Sequence, residues 1–489
     1  MHTIQRPRLS HRLCLALTLV GVGLCLASPA LVAAAATPGG SANANLPLKY
    51  KDYNIVLVSF DAMQANHVHA LGYPKEITPT IDAMAKGGFN FTQDISASSW
   101  TVPASMVWFT GVYPSEHRLL NKFTVYEPPV EKIANMRELA PSIVTLAEIL
   151  KSNGYATGGF TGDAGVNGVF GYKLGFDVYM DDVKFGDLEQ SVPRALTWLQ
   201  DKKDKKFFVF LHGYDSHGQC LPKEGLDRRF VDPGYKGKYT GSVIEQEALR
   251  EEGLIKGSIQ LSDEDVAFWR AVYDEKVNRA DGRFKKFVDG LEKLGLKNKT
   301  LFVLTADHGT EVYEHKRFDH GFSLYDELVH VPLVIKLPER NLKGTISDQV
   351  SSIDVMPTIL DLLDVPVPDN VKKQLRGTSL VPAMRGEAVN RDVFSETDYR
   401  LYTFKRSVRT ADGWKFIYTM ESKIKELYNL KTDPHETKNL IKDESRLAYE
   451  LEQKLFAHFK SIGHDLTKET WKTGLSPVYA SQAKGWKKK

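Results

Sequence analysis

Five short apolar runs, alternating with helical patterns, set what this chain can fold into. Asn54-Ile-Val-Leu-Val-Ser-Phe60 ends at Asp61, and Ala156 to Thr161 follows. Phe207-Phe-Val-Phe-Leu211 runs into His212, Leu301-Phe-Val-Leu304 leads to Asp307, and Val331 to Leu337 closes the series. Runs this continuous, without polar alternation, suit strands buried on both faces. Helical patterns fill the intervals: Thr78 to Lys86, Ser142 to Ser152, Val192 to Lys202, and Ser262 to Leu294, whose opening Ser-Asp-Glu-Asp marks a helix N-terminus. Strand alternating with helix predicts an α/β fold, a largely parallel central sheet with helices on both faces. In such sheets ligands bind beyond the carboxyl ends of the strands. Three of the runs carry Asp61, His212 and Asp307-His308 to that edge.

The segment Ser96 to Leu119 reads as a polar loop that tips into a short apolar helix. Thr101 is the expected N-cap, Val102-Pro103 fit the first turn, and Gly111 followed by Pro114 stops the helix. Free N–H groups and the positive dipole end make a helix N-terminus an anion site. The hydroxyl of Thr101 can therefore sit against a bound sulfate or phosphate group. A well-capped helix alone would explain the same residues, so the surrounding polar groups decide.

Residues 1–36 have the form of a signal peptide: Arg6, Arg8 and Arg12, an apolar core from Leu13 to Leu26, and small residues at Ala33-Ala-Ala-Ala36. The expectation is a secreted or periplasmic protein with no stable membrane span after cleavage. Without those three arginines the basic count falls from 64 to 61, equal to the 61 acidic residues, which argues against a nucleic-acid partner. Of the three cysteines only Cys220 lies outside the signal segment, so no intrachain disulfide is expected. The reading places a catalytic α/β domain at 45–385 with a charged, Gly-rich loop insertion at 214–262 that contains Lys223, Arg228 and Arg229, of a kind that serves as a lid or binding loop or is a disordered excursion. A small α+β subdomain follows at 386–489, with a hairpin from Thr410 to Tyr418 and Lys425 to Leu430 and a helix from about Glu444 to Ile462.

Ionisable residues crowd the strand ends. Thr305-Ala-Asp-His-Gly309 precedes Glu314-His315 and Asp319-His-Gly321, and His212, Asp215 and His217 lie beyond a neighbouring strand. Asp61, Asp307 and His308, with Thr101, form a plausible N/O set for a divalent metal ion. Imidazole in the set favours zinc or manganese; an oxygen-only set would suit calcium or magnesium. A metal beside Thr101 would lower the pKa of its hydroxyl and make it a nucleophile, while His212, His217 and His320 stabilise charge and serve the leaving oxygen. That chemistry is transfer of a tetrahedral oxyanion.

These motifs resemble the sulfatases of the alkaline phosphatase superfamily. The resemblance runs through Asn54 to Asp61, Thr78-Pro-Thr-Ile-Asp82, Thr101-Val-Pro-Ala-Ser105 with Thr110-Gly-Val-Tyr-Pro114, Asp307-His-Gly309, Val331-Pro-Leu333, and Leu427-Tyr-Asn-Leu-Lys-Thr-Asp-Pro434 with Glu436-Thr-Lys-Asn-Leu440. It implies the α/β fold with its C-terminal subdomain and a metal-dependent hydrolase acting on a small-molecule, glycan-linked or lipid-linked sulfate, phosphate or phosphonate ester. The departures bear on mechanism. Thr101 stands where sulfatases oxidise Cys or Ser to formylglycine, and its methyl rules out an aldehyde. Ser105 stands for the motif's Arg, Ala62 for the second Asp of a pair, and His320 for a lysine. A phosphodiesterase or phosphoryl-type transferase on the same site, a catalytically silent anion- or glycan-binding relative, and a second metal at Asp215, His217 and His320 stay open as alternatives.

Overall fold

The computed structural model describes residues 48–120, 139–220, 225–338, 342–400 and 402–469, two short strands at 126–127 and 131–132, and Trp471. The expected signal segment 1–36 and Lys223 of the expected loop insertion lie outside the described residues. Nine strands form the central sheet: β1 Asn54–Phe60, β2 Phe89–Ile95, β3 Ala156–Phe160, β4 Val178–Met180, β5 Phe207–Gly213, β6 Thr300–Ala306, β7 His330–Lys336, β8 Gly344–Ile346 and β9 Val350–Ser351. Their order is β8-β2-β7-β6-β1-β5-β3-β4, with β9 also paired to β2. All neighbours are parallel except β7, which runs antiparallel to both β6 and β2. The run from Val331 is thus the strand that reverses direction.

The apolar runs are continuous because both faces of the sheet are covered. Along β1, Ile55 and Leu57 enter one core while Val56, Val58 and Phe60 enter the other. In β5, Phe208 and Phe210 face the first core, and Phe207, Val209 and Leu211 the second. Helix α1 (Pro79–Lys86), α4 (Leu188–Lys202) and the long α6 (Asp263–Lys293) pack on the second face. Helix α2 (Thr101–Thr110), α3 (Leu146–Ser152) and α7 (Val355–Leu362) pack on the first. Every residue of α2 is buried, which accounts for its lack of a polar stripe.

The insertion at 214–262 is not simply a loop. It contains α5, Val243–Lys256, started by a capping box in which Ser242 and Glu245 satisfy each other's backbone N–H. The C-terminal subdomain is an antiparallel sheet of four strands, β10 Val393–Tyr399, β11 Thr403–Arg409, β12 Trp414–Thr419 and β13 Ile424–Asn429. Helix α8, Ser445–Ser461, covers it through Leu451, Leu455 and Phe459. Among the described residues no helix is long and apolar enough to cross a membrane.

Candidate active site

Register brings the first polar residues together. Ser59 of β1 lies level with His212 of β5 and Thr305 of β6, and Phe60 with Gly213 and Ala306, so Asp61 and Asp307 leave adjacent strands side by side. Ala62, which follows Asp61, has a φ of 57°. That left-handed turn helps aim its N–H at Asp307 Oδ1, 3.1 Å away, and the same oxygen accepts the His308 N–H at 2.9 Å. Helix α2 enters from the first face. Its N-cap is the extended Trp100 and not Thr101, which is instead the first helical residue. The Thr101 hydroxyl is consequently not spent on capping: Oγ1 donates to Asp61 Oδ2 at 3.1 Å and lies 3.2 Å from His308 Nε2. Ser105, one turn on, reaches Asp307 Oδ2 at 3.4 Å.

Asp61, Asp307 and His308 fit a divalent cation. Each offers a ligand atom within 4.8 Å of the others, and all three side chains are fully buried. Among the described residues the side chains at ion-pair distance from the two carboxylates are histidines, not lysine or arginine. Among the described residues Asp61 Oδ1 has no hydrogen-bond partner. Burial, reinforced by Asp307, pushes the Asp61 carboxyl well above the ordinary range. Two buried carboxylates set together without a cation are costly, and a divalent ion would relieve that cost. His308 Nδ1 lies 2.6 Å from the Gly309 carbonyl, so it carries the proton and Nε2 keeps its lone pair toward Thr101. Burial holds the ring neutral by lowering its pKa, as a ligand requires.

The remaining expected residues divide. His212 is fully buried, with Nε2 3.5 Å from Asp61 Oδ2 and its pKa lowered by burial to about 4. It lies against Asp61 at the same depth as Asp307 and His308. His217 Nε2 is 3.9 Å from Asp61 Oδ1, and its ring lies 5.0 Å from that of His320, which in turn lies 4.3 Å from His308. Asp215 does not join them. Its Oδ1 accepts from Arg283 of α6 at 2.6 Å and its Oδ2 from the Leu188 N–H at 2.9 Å, so the turn after β5 spends it on the second face. The carboxylate grouped with His217 and His320 is Asp319. Sequence reasoning had that residue in view inside Asp319-His-Gly321 and gave it no role. Arg250 of α5, bonded to Asp319 at 2.9 Å, was missed altogether.

A buried hydroxyl stands beside a cluster of carboxylates and imidazoles at the carboxyl edge of a wrapped α/β sheet. The sulfatase family model matches residues 53–365, and the model for N-sulphoglucosamine sulphohydrolase, C-terminal, matches residues 313–461. The chain belongs to the sulfatase family and is an ester hydrolase of that class, one that generally uses a divalent metal. Arylsulfatase K of Mus musculus is 22% identical over 485 residues, covering 88% of this chain and 84% of its own. The phosphonate monoester hydrolase of Agrobacterium radiobacter superposes with a TM-score of 0.65 at 18% identity, over 84% of this chain and 96% of that one. A protein solved in complex with its substrate D-glucosamine-2-N,6-O-disulfate superposes with a TM-score of 0.64 at 18% identity, over 86% of this chain and 100% of that one.

Proposed function

We propose that the chain is an exported, metal-dependent hydrolase that cleaves a sulfate, phosphate or phosphonate ester by attack of Thr101 on sulfur or phosphorus. The observation that carries this reading is the position of Thr101 Oγ1, at a helix N-terminus and within 3.2 Å of both Asp61 and His308. A divalent ion held by Asp61, Asp307 and His308 would, when bound, favour the deprotonated hydroxyl and offset charge on the transferring group. The chain's own residues do the rest. Asp61 Oδ2 holds the Thr101 hydroxyl in line, and the N-terminus of α2 attracts the anionic group. Thr101 passes its hydroxyl proton to Asp61 Oδ2, the acceptor it already faces, and its Oγ forms the new bond to sulfur or phosphorus as the bond to the ester oxygen breaks. His217 or His320 supplies the proton that the departing oxygen takes. Water then attacks the Thr101 ester and restores the hydroxyl.

The substrate class is a small-molecule, glycan-linked or lipid-linked monoester. Metal analysis of the purified chain, coupled to turnover of aryl sulfate, phosphate and phosphonate esters, tests the proposal. Turnover that rises with metal content supports it. Cleavage of diesters alone would make the chain a phosphodiesterase, and metal uptake without turnover would make it a silent anion-binding relative.

A further inference from the structure

The trio His217, Asp319 and His320 has the composition of a second metal site, with one ligand atom from each within 4.8 Å of the others. Two of its ligand atoms, Asp319 Oδ2 and His217 Nδ1, already have partners. Asp319 Oδ2 accepts from Arg250 Nη1 at 2.9 Å and from Gln219 Nε2 at 3.3 Å. Asp319 Oδ1 lies 2.5 Å from His320 Nδ1. The two atoms do not form a regular hydrogen bond, yet a nitrogen without a proton would set lone pair against lone pair at this distance, so Nδ1 is assigned the proton. His217 Nδ1 accepts the Gln219 N–H at 3.2 Å, which leaves the proton of that ring on Nε2. Arg250, Asp319 and His320 are all buried.

We infer that Arg250 and Asp319 are positioning residues, which fix the ring and tautomer of His320 and so make the 214–262 insertion part of the catalytic apparatus. This rests on the reading of His320 as a group at the transferring centre. Arg250 supplies the positive charge that a second ion would otherwise bring, and it arrives on α5, whose place is set independently. The Tyr402 hydroxyl donates to the Leu254 carbonyl at 2.5 Å, Arg317 donates to the Gly257 carbonyl at 2.7 Å, and the Ile259 N–H donates to the Lys316 carbonyl at 2.9 Å. The other end of the pair is equally constrained. Asp319 has a φ of 80°, a left-handed conformation uncommon for residues other than glycine, although Asp adopts it more readily than most. The carboxylate therefore meets the guanidinium on one side and the imidazole on the other. With Nδ1 held on Asp319, Nε2 of His320 is the nitrogen left to face the centre, and it is there that the ring takes up the second proton that it gives to the leaving oxygen.

The test uses the full metal-loaded chain with Arg250→Met, Arg250→Lys and His320→Gln, alone and combined. In Arg250→Met, kcat should fall about 10- to 100-fold, a fraction of what a well-placed proton donor contributes, with KM within about twofold and metal content unchanged. Arg250→Lys should recover most of the loss. The double variant Arg250→Met/His320→Gln should be no slower than His320→Gln, because the arginine acts through the histidine. An unchanged kcat in Arg250→Met, multiplicative losses in the double variant, or metal lost together with kcat would each overturn the inference. A second readout needs no substrate. With 15N-histidine, the His320 signals, identified by their loss in His320→Gln, should show Nδ1 protonated in the wild type and the other tautomer gaining in Arg250→Met. An identical tautomer in both proteins refutes the pair, whereas a wild-type chain inactive on every ester refutes only the reading of the site.

Discussion

Gly165 leaves room for the nucleophile, and replacing it with alanine should displace Thr101. An added Cβ would lie 2.5 Å from both Thr101 Cβ and Cγ2, and 3.3 Å from Oγ1. Carbon atoms in contact keep about 3.5–4.0 Å, so something must give by about 1 Å. The loop cannot easily yield, because the Gly165 and Val166 N–H groups donate to the buried Tyr214 hydroxyl at 2.7 and 3.1 Å. Nor does alanine suffer from its own backbone there, since Gly165 is outside the left-handed region. The strain should fall on Thr101, whose hydroxyl is held by Asp61. A misplacement of about 1 Å at a reacting centre costs on the order of a hundredfold in rate, and overpacking costs about 1–3 kcal/mol in stability. The assay is kcat on an activated ester, with metal content and thermal midpoint measured on the same preparation. Gly165→Ala should lose about a hundredfold in kcat with metal retained. Adding Thr101→Ser, which removes Cγ2 and one of the two closest contacts, should recover part of that loss. A Gly165→Ala protein with wild-type kcat would refute the packing argument.

Further expectations follow from the same geometry. Asp307→Asn should reduce bound metal measured by elemental analysis, since it removes one of two buried carboxylate charges; full occupancy would exclude Asp307 as a ligand. Replacing the acid among His217 and His320 with Ala should slow alkyl esters at least tenfold more than nitrophenyl esters, whose leaving group departs without a proton. Equal slowing with loss of metal would make the histidines ligands instead. His315, away from the centre, offers a pH test. Burial lowers its pKa, but Glu311, Glu327 and Glu436 outweigh that and raise it to about 9. Its stabilisation is therefore complete below the unfolded value near 6.5, is lost as pH rises through about 9, and is worth at most about 3 kcal/mol. The stability gap between wild type and His315→Gln, read by denaturant unfolding, should narrow between about pH 6 and pH 10; a constant gap would contradict the assignment.

Much of the candidate metal cluster was legible because a strand buried on both faces leaves no ambiguity about where its apolar run stops. Asp61 follows such a stop directly and Asp307 follows the end of β6, three residues past Leu304, and parallel register then makes them neighbours. Direction was not legible: Val331 to Leu337 reads like the parallel strands, and only pairing between β6 and β2 reverses it. Strand β2, Phe-Asn-Phe-Thr-Gln-Asp-Ile, alternates with polar residues and passed unnoticed. Proximity in sequence misled at Asp215, two residues from His217, because a turn after β5 sends its carboxylate to Arg283. Helix α5 lacked a clean apolar stripe, with Ile244 and Ile255 exposed, although Ser242 and Glu245 spelled its capping box. Arg250 could not be found from the sequence, since its partner lies 69 positions away and is reached only through the docking of that helix.

The central claim is that Thr101 is the atom donor to the transferring group. Quenching metal-loaded enzyme during turnover of a fast ester, then mapping peptides by mass spectrometry, tests it most directly. The account predicts a sulfuryl, phosphoryl or phosphonyl group on the Thr101 side chain, with no aldehyde anywhere between Ser96 and Ser105 and no adduct in Thr101→Val. An adduct or aldehyde on Ser98 or Ser99, or full turnover by Thr101→Val, would contradict it.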